Sequence, residues 1–189
     1  MTKRYVALLR GINVGASGRI RMDAMKRLLE DAGLSRVVTY IQSGNALFDA
    51  DLPEQAAKEA VERALKDGAN IATTAVLRTA QELAALVANC PFSADELEQA
   101  RRANAEGESF YVCLLPQPPS EQALAALAGT PPEGDAYAVS GRDIYLLLRH
   151  SIRNSRLAIR LQKAFSDATV RGWNTMVKLN ELSQQRNGG

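Results

Sequence analysis

Histidine, cysteine and aromatic residues are scarce in this 189-residue chain, which has one histidine, two cysteines and only 5% aromatic residues. Cys90 and Cys113 are too few for the disulfide framework of a small secreted protein. With His150 they total three candidate ligands far apart in sequence, whereas soft transition-metal sites usually use three or four clustered ones, so we predict no such site. A carboxylate site for magnesium stays open, although no cluster of acidic residues points to one.

Long hydrophobic runs are absent as well. No apolar segment approaches the roughly 18 to 20 residues that a membrane helix needs. The start of the chain, residues 1–4, leads into a short apolar strand that ends at Arg10, without the longer apolar region and small-residue cleavage site of a signal peptide. We therefore expect a cytoplasmic protein with no membrane partner.

Charge is nearly balanced overall, and a net charge of +2 is too small to predict a nucleic-acid partner. Its distribution is uneven. Residues 1–27 carry seven basic side chains against one acid, residues 91–135 carry eight acids against two basic side chains, and residues 136–189 carry nine basic side chains against three acids. The chain thus has basic flanks and an acidic middle.

Hydrophobic periodicity predicts the same order of elements, β-α-β-β-α-β, in each half of the chain. In the first half the predicted strands are 3–9, 36–42, 45–48 and 70–77, with helices that end at Gly33 and Gly68. In the second half they are 110–115, 136–139, 143–148 and 168–171, with a helix that ends near Gly129, a helix over 155–165 and a terminal helix over 174–185. This order predicts an α+β protein of two ferredoxin-like (α/β-plait) domains in tandem with a C-terminal helix.

The predicted domain boundaries follow from this order and from composition. We expect an N-terminal domain over residues 1–90, a polar and acidic connecting segment over 91–108, and a C-terminal domain over 109–189 that includes the terminal helix. The last residues, 187–189, are polar and glycine-rich, which predicts a disordered tail.

Glycine-rich segments follow the first two predicted strands of the N-terminal half. Two strands joined by a crossover helix in one sheet are almost always parallel, so these segments are expected to meet at one sheet edge. Exposed N–H groups in glycine loops bind anions, and Arg10, Arg19 and Arg21 add positive charge, which predicts a phosphate or carboxylate ligand. The predicted ligand-binding residues here are Arg10, Gly11, Asn13, Gly15, Gln42, Ser43, Gly44 and Asn45.

Other interpretations of the same residues stay open. Glycines at strand ends often serve backbone geometry alone, and asparagines stabilise turns through local hydrogen bonds. The loop has neither the G-x-G-x-x-G nor the G-x-x-x-x-G-K-[ST] spacing of nucleotide-binding loops. Ser43 is not in a G-x-S-x-G motif, and His150 lies in the other half of the chain, so a serine hydrolase is disfavoured. No catalytic pair, cofactor motif or oligomeric state is evident.

A basic helix face is predicted in the second half. Arg153, Arg156, Arg160 and Lys163 are spaced three, four and three residues apart, which places them on one side of a helix. Such a face is either simply solvated or follows the phosphates of a nucleic acid. The aromatic stacking signature of RNA-recognition domains is missing from every predicted strand.

Three short motifs together resemble a widespread bacterial family, the domain-of-unknown-function family 1697. They are R-G-I-N-V-G at 10–15, Y-I-Q-S-G-N at 40–45 and R-G-W-N-T at 171–175, where the family usually has R-N-W-N-T, so that Gly172 replaces an asparagine. The resemblance implies two α/β-plait domains and transfers no catalytic role. Trp173 and Asn174 have structural explanations as a packing residue and a helix cap, which leaves Arg171 as a further candidate ligand residue.

The leading hypothesis is therefore a protein that binds a small anionic or nucleotide-like ligand at the edge formed by 10–15 and 42–45, together with Arg171. One alternative is a nucleic-acid-binding module that uses the basic flanks. Another is a protein-interaction module without catalysis.

Overall fold

The computed structural model describes residues 1–128 and 134–185, and its contacts divide the chain into two compact units. The first unit contains Met1–Val87 and the end of the chain from Val177, and the second contains Ala88–Met176. The predicted disorder of 187–189 and the predicted helix end near Gly129 lie outside the described residues.

The first unit contains a four-stranded antiparallel sheet with strand order β2-β3-β1-β4. Its elements in chain order are β1 (Lys3–Leu9), α1 (Met22–Asp31), β2 (Ser35–Tyr40), β3 (Asn45–Ala50), α2 (Glu54–Ala69), β4 (Ala75–Thr79) and α3 (Ala80–Ala88). The fourth strand begins at Ala75 rather than at 70 as predicted. Asn70 ends α2 in the left-handed conformation (φ 53°), and the next few residues form a loop before the strand begins.

The second unit contains another four-stranded antiparallel sheet, with strand order β6-β7-β5-β8. Its elements are α4 (Ala94–Ala103), β5 (Phe110–Leu114), α5 (Glu121–Ala128), β6 (Ala136–Ser140), β7 (Asp143–Leu147), α6 (Arg156–Ala164), β8 (Thr169–Gly172) and α7 (Trp173–Gln184). Asn174, predicted to cap the last helix, lies inside its first turn, because α7 begins at Trp173.

The division into units differs from the predicted domain boundaries in two places. The predicted connecting segment 91–108 belongs to the second unit and contains α4, which begins with a reciprocal capping box between Ser93 and Glu96. The end of α7 belongs to the first unit, where the Gln184 side-chain amide donates to the Ala80 carbonyl oxygen at 3.2 Å. No local sequence pattern predicts this hydrogen bond, because its partners are 104 residues apart in the chain.

The core of the first unit lies between its sheet and helices α1 and α2. Alternate residues of a strand point to opposite faces, and Tyr5, Ala7 and Leu9 of β1 share one buried cluster with the apolar stripes of both helices. Val6 and Leu8, on the other face of β1, are buried too. Burial on both faces explains why this strand is an unbroken apolar run in sequence.

Aromatic rings form a cluster in the second unit. The Phe110 ring stacks on Trp173 with centroids 4.4 Å apart, and the Phe92 ring meets Phe110 edge-on at 5.6 Å. The centroid of the Tyr145 ring lies 6.3 Å from the ring centroids of both Phe110 and Trp173. Burial in this cluster, and to a smaller extent the negative charge of Asp143, raises the pKa of Tyr145 to about 12.

Within the described residues, none of the seven helices combines the length and the apolarity needed to cross a membrane.

We predict that Tyr145 makes the fold sensitive to alkali. An unfolded tyrosine ionises near pH 10, whereas Tyr145 in the fold stays neutral to about pH 12, so ionisation favours the unfolded chain between these values. The free energy of unfolding, measured by urea titration, should fall from pH 10 to pH 12 less steeply in Tyr145→Phe than in the wild type. The difference in free energy of unfolding between Tyr145→Phe and the wild type at pH 8 measures the effect of the lost hydroxyl on packing. If the two proteins lose stability equally from pH 10 to pH 12, the prediction is wrong.

Candidate functional site

The ends of β1 and β2 lie at one edge of the first sheet. Both strands are antiparallel to β3, so they run parallel to each other. Asn45, the first residue of β3, pairs with Leu8 near the end of β1 and with Tyr40 at the end of β2. The loop after β1 (10–21) and the turn between β2 and β3 (41–44) therefore start side by side.

The side-chain amide of Asn13 joins the loop to the turn. Its Nδ2 donates to the main-chain oxygen of Gln42 at 2.8 Å and to that of Ile20 at 3.1 Å. Its Oδ1 accepts the main-chain N–H of Ile20 at 2.9 Å. We call these three bonds the Asn13 clamp. The amide uses both of its donor hydrogens in the clamp, so Asn13 organises the site rather than offering donors to a ligand.

The loop is folded back on itself as a small hairpin. The Asn13 N–H donates to the Gly18 carbonyl oxygen at 2.9 Å, and Val14 and Ser17 form an antiparallel bridge. Gly15 takes a positive φ of 61° between them. At Gly18 a β-carbon would lie 2.3 Å from the Gly11 oxygen, so only glycine permits this close approach.

The turn is held by a second set of contacts. The Leu9 N–H donates to the Gly44 carbonyl oxygen at 2.8 Å, and a β-carbon at Gly44 would lie 2.8 Å from Ile12 Cβ. Asn45 is buried, and its Nδ2 donates to the Tyr40 carbonyl oxygen and to Ser43 Oγ, each at 3.0 Å. Gly44 and Asn45 thus support the turn, as the structural interpretation of the motif anticipated.

Ile41 is strained within this turn. Its φ is 48°, in the left-handed region that β-branched residues rarely adopt. Such a conformation costs on the order of 1–3 kcal/mol. The Ile41 side chain is 46% exposed, so burial in the core does not offset this cost fully.

Sequence reasoning missed the segment before β4. The Arg10 N–H donates to the Thr74 carbonyl oxygen at 3.0 Å, and Thr73 Oγ1 donates to the Arg10 carbonyl oxygen at 2.8 Å. These bonds form because β4 is antiparallel to β1 and therefore begins where β1 ends. The predicted element order contained this signal, since the last strand of such a unit lies beside the first.

An open pocket of about 370 Å³ lies between the loop and the turn, lined by Asn13, Arg19, Ile20, Arg21 and Gln42. Arg19 Nε donates to the Gly15 carbonyl oxygen at 3.0 Å. Within the described residues, the two terminal nitrogens of Arg19 make no hydrogen bond, and the side-chain amide of Gln42 makes none either. Arg21 also forms an exposed ion pair with Asp23 at 3.1 Å and lowers the pKa of that carboxyl by hydrogen bonding.

Arg171 belongs to the second unit, whereas the loop and the turn belong to the first. It lies in β8 and donates through Nη1 to Thr169 Oγ1 at 2.7 Å and to the Val170 carbonyl oxygen at 3.0 Å. Burial lowers its pKa to about 10. The neighbouring Gly172 lies against Glu108, whose carboxylate oxygen would be 2.0 Å from a β-carbon there.

A family profile matches residues 1–145, which include both the loop and the turn. The chain belongs to that family, described as "Protein of unknown function (DUF1697)". The motif at 171–175 lies outside the matched residues. The DUF1697 chain is also similar to the solved structure of a conserved bacterial protein from Streptococcus pneumoniae. The TM-score is 0.76 at 19% identity over 98% of this chain and 100% of the other, which shows a shared fold. No curated protein matches this chain.

We predict that Asn13→Asp destabilises the first unit. Aspartate has nearly the same shape and keeps an acceptor for the Ile20 N–H, but it places a carboxylate opposite two carbonyl oxygens that now receive N–H bonds. The free energy of unfolding should fall by about 2–3 kcal/mol in a urea titration. Gln42→Ala is the matched control, because the clamp uses the main-chain oxygen of Gln42. A loss for Asn13→Asp no larger than that of the control would refute the clamp.

Proposed function

We propose that this protein binds a small anionic or nucleotide-like ligand at the edge formed by the loop and the turn, 10–15 and 42–45. The observation that carries the proposal is the pocket beside the Asn13 clamp, which is lined by two arginines and no carboxylate. Its volume of about 370 Å³ lies within the range of small-molecule sites.

The contacts divide the predicted ligand residues into two groups. Gly11, Asn13, Gly44 and Asn45 are occupied in holding the loop and the turn, so their contribution is indirect. The direct contacts are assigned to the exposed side chains of Arg10, Arg19, Arg21 and Gln42, while Gly15 and Ser43 border them.

Arg19 is the strongest candidate for the anion contact. The bond from its Nε to the Gly15 oxygen anchors the guanidinium at one nitrogen. The two terminal nitrogens are not used by this bond, and a guanidinium binds phosphate or carboxylate through such paired donors.

We also infer that each unit has the ferredoxin-like arrangement predicted from the sequence. The β-α-β-β-α-β order and the central position of the first and third strands of each unit support this inference. In this arrangement the ends of the first and second strands share an edge with the starts of the third and fourth, which is where the proposed site lies. The cytoplasmic location and the contribution of Arg171 to the site stay predictions.

We predict that Arg19→Ala weakens binding of inorganic phosphate by about ten- to a hundredfold, because a charge-assisted hydrogen bond contributes roughly 1.5–3 kcal/mol. Isothermal titration with phosphate measures the affinity, and thermal melting against a panel of anionic metabolites extends the search. Arg153→Ala removes the same charge from the second unit and should leave binding unchanged. If no anion stabilises the wild type more than it stabilises Arg10→Ala or Arg19→Ala, the proposed site is wrong.

A second candidate function is nucleic-acid binding by α6. Arg156, Arg160 and Lys163 on this helix are exposed, as is Arg153 just before it, and the helix contains no acidic residue. A row of cations along one helix face can contact several phosphates of a nucleic-acid strand, whereas a single small anion would use only part of it.

This candidate predicts affinity for single-stranded oligonucleotides that falls steeply with salt. Replacing both Arg156 and Arg160 by alanine should reduce the slope of log affinity against log salt by about 1.4, since each phosphate contact on a single strand contributes roughly 0.7. Gel-shift titrations at several salt concentrations give the slope. The double variant Arg101→Ala, Arg102→Ala is the charge-matched control, because it removes two exposed arginines from α4 and leaves α6 unchanged. Binding that does not depend on salt would eliminate α6 as a nucleic-acid site.

A further inference from the structure

A second asparagine amide joins two loops in the second unit. Asn104 follows the last residue of α4 and is buried. Its Nδ2 donates to the main-chain oxygen of Glu108 at 2.8 Å and to that of His150 at 3.2 Å. Its Oδ1 accepts the main-chain N–H of Glu106 at 3.2 Å. We call these three bonds the Asn104 bridge, which connects the loop before β5 (104–109) to the loop after β7 (148–155).

Strand pairing brings these two loops to the same edge of the second sheet. Phe110, the first residue of β5, pairs with Leu147, the last residue of β7. The Leu148 N–H then donates to the Ser109 carbonyl oxygen at 2.7 Å. The Asn104 bridge therefore fixes two loops that start side by side, as the Asn13 clamp does in the first unit.

An open pocket of about 390 Å³ is lined by residues of both loops, and we call it the Asn104 pocket. Its volume lies within the range of small-molecule sites. All of its lining residues belong to the second unit, so it does not depend on the anion site of the first. Its polar lining residues are Asn104, Glu106, Arg149, His150, Ser151 and Asn154.

The Asn104 pocket contains one guanidinium and one carboxylate that are not paired with each other. Arg149 Nε donates to the Gly134 carbonyl oxygen at 2.9 Å, and Nη2 donates to Gln99 Oε1 at 3.3 Å. These acceptors are neutral, so they hold the guanidinium without balancing its charge. Within the described residues Arg149 forms no ion pair, and the exposed Glu106 carboxylate forms neither an ion pair nor a hydrogen bond.

Unpaired charges of opposite sign in one pocket select for a particular kind of ligand. A simple anion would be repelled by Glu106, and a simple cation would be repelled by Arg149. A zwitterion satisfies both, because its carboxylate pairs with the guanidinium and its ammonium pairs with the carboxylate. The pocket beside the Asn13 clamp differs in this respect, since two arginines and no carboxylate line it.

We propose that the Asn104 pocket is a second binding site and that its ligand is a free α-amino acid. Arg149 binds the carboxylate of the ligand, and Glu106 binds its ammonium group. The Asn104 bridge positions both side chains, because it holds the main chain at Glu106 and at His150, the residue after Arg149.

The test compares L-alanine with two analogues that each lack one charge. Propanoate lacks the ammonium group, and ethylamine lacks the carboxylate. L-Alanine carries both charged groups of every α-amino acid, and its methyl group suits a lining that includes Ala103 and Ala105. In isothermal titration at pH 7, the wild type should bind L-alanine at least about tenfold more tightly than either analogue.

Glu106→Gln removes the carboxylate charge and keeps nearly the same shape. The affinity of this variant for L-alanine should fall to about that of the wild type for propanoate. Glu108→Gln is the matched control, because it removes the same charge from the same loop at a residue that does not line the pocket. It should leave L-alanine affinity unchanged.

Arg149→Gln should reduce the affinity for L-alanine to about that of the wild type for ethylamine. Thermal melting checks that each variant is folded. If Arg149→Gln is unstable because it loses the bond to Gly134, Glu106→Gln still decides the question, since the Glu106 carboxylate has no partner among the described residues.

Three results would overturn the proposal. They are failure of the wild type to bind L-alanine, equal affinity for L-alanine and either analogue, and undiminished L-alanine binding by Glu106→Gln. The anion site of the first unit is tested separately, because Arg19→Ala should leave L-alanine binding unchanged and Glu106→Gln should leave phosphate binding unchanged.

Discussion

The hydrogen bonds of one amide, that of Asn13, hold the candidate site together. They tie the loop after β1 to the turn after β2, and they join Asn13 to Ile20 near the end of the same loop, so that the loop and the turn have one relative position. The acceptors are main-chain oxygens, and the Ile20 N–H would otherwise lose its partner. Because unsatisfied polar groups near a protein interior are costly, the clamp stabilises the loop in a single arrangement. The arginines at the pocket depend on that arrangement for their position.

The first strand of each unit ends in a similar hydrogen bond, but the loops that follow these strands differ. In the first, the Leu9 N–H donates to the Gly44 oxygen at 2.8 Å, and in the second the Leu115 N–H donates to the Arg142 oxygen at 2.9 Å. The first unit follows this bond with a glycine-rich hairpin. The second follows it with a proline-rich segment, 116–120, in which proline nitrogens offer no donors. A shared scaffold therefore carries the clamp and the pocket in the first unit, where the glycines allow the loop to fold back.

Sequence patterns were reliable where the signal was local. The unbroken apolar run of β1 and the apolar stripes of α1 and α2 predicted elements that the structure contains, because these patterns record which faces of each element are buried. Local patterns were less reliable at boundaries. Residues 70–77 were predicted as one strand, but the left-handed conformation of Asn70 ends a helix and starts a loop instead. The final helix was predicted from its periodicity, yet its division between the units depends on contacts with residues far away in the chain.

The meeting of 10–15 with 42–45 followed from the sequence, since the order of strands and the handedness of crossovers leave few alternatives. The roles of the residues that meet there did not. Asn13 was expected to contact a ligand, but its partners are main-chain atoms of Ile20 and Gln42. Any residue at those two positions has the same main-chain atoms, so the sequence does not record these bonds. The strain at Ile41 was equally invisible, because it arises from how the chain closes on itself in three dimensions. The contact between Thr73 and Arg10 was implied only by the order of the strands. The motif at Arg10–Gly15 thus identifies the edge of the sheet, and the folded chain assigns its glycines and asparagine to the scaffold and its arginine to the surface.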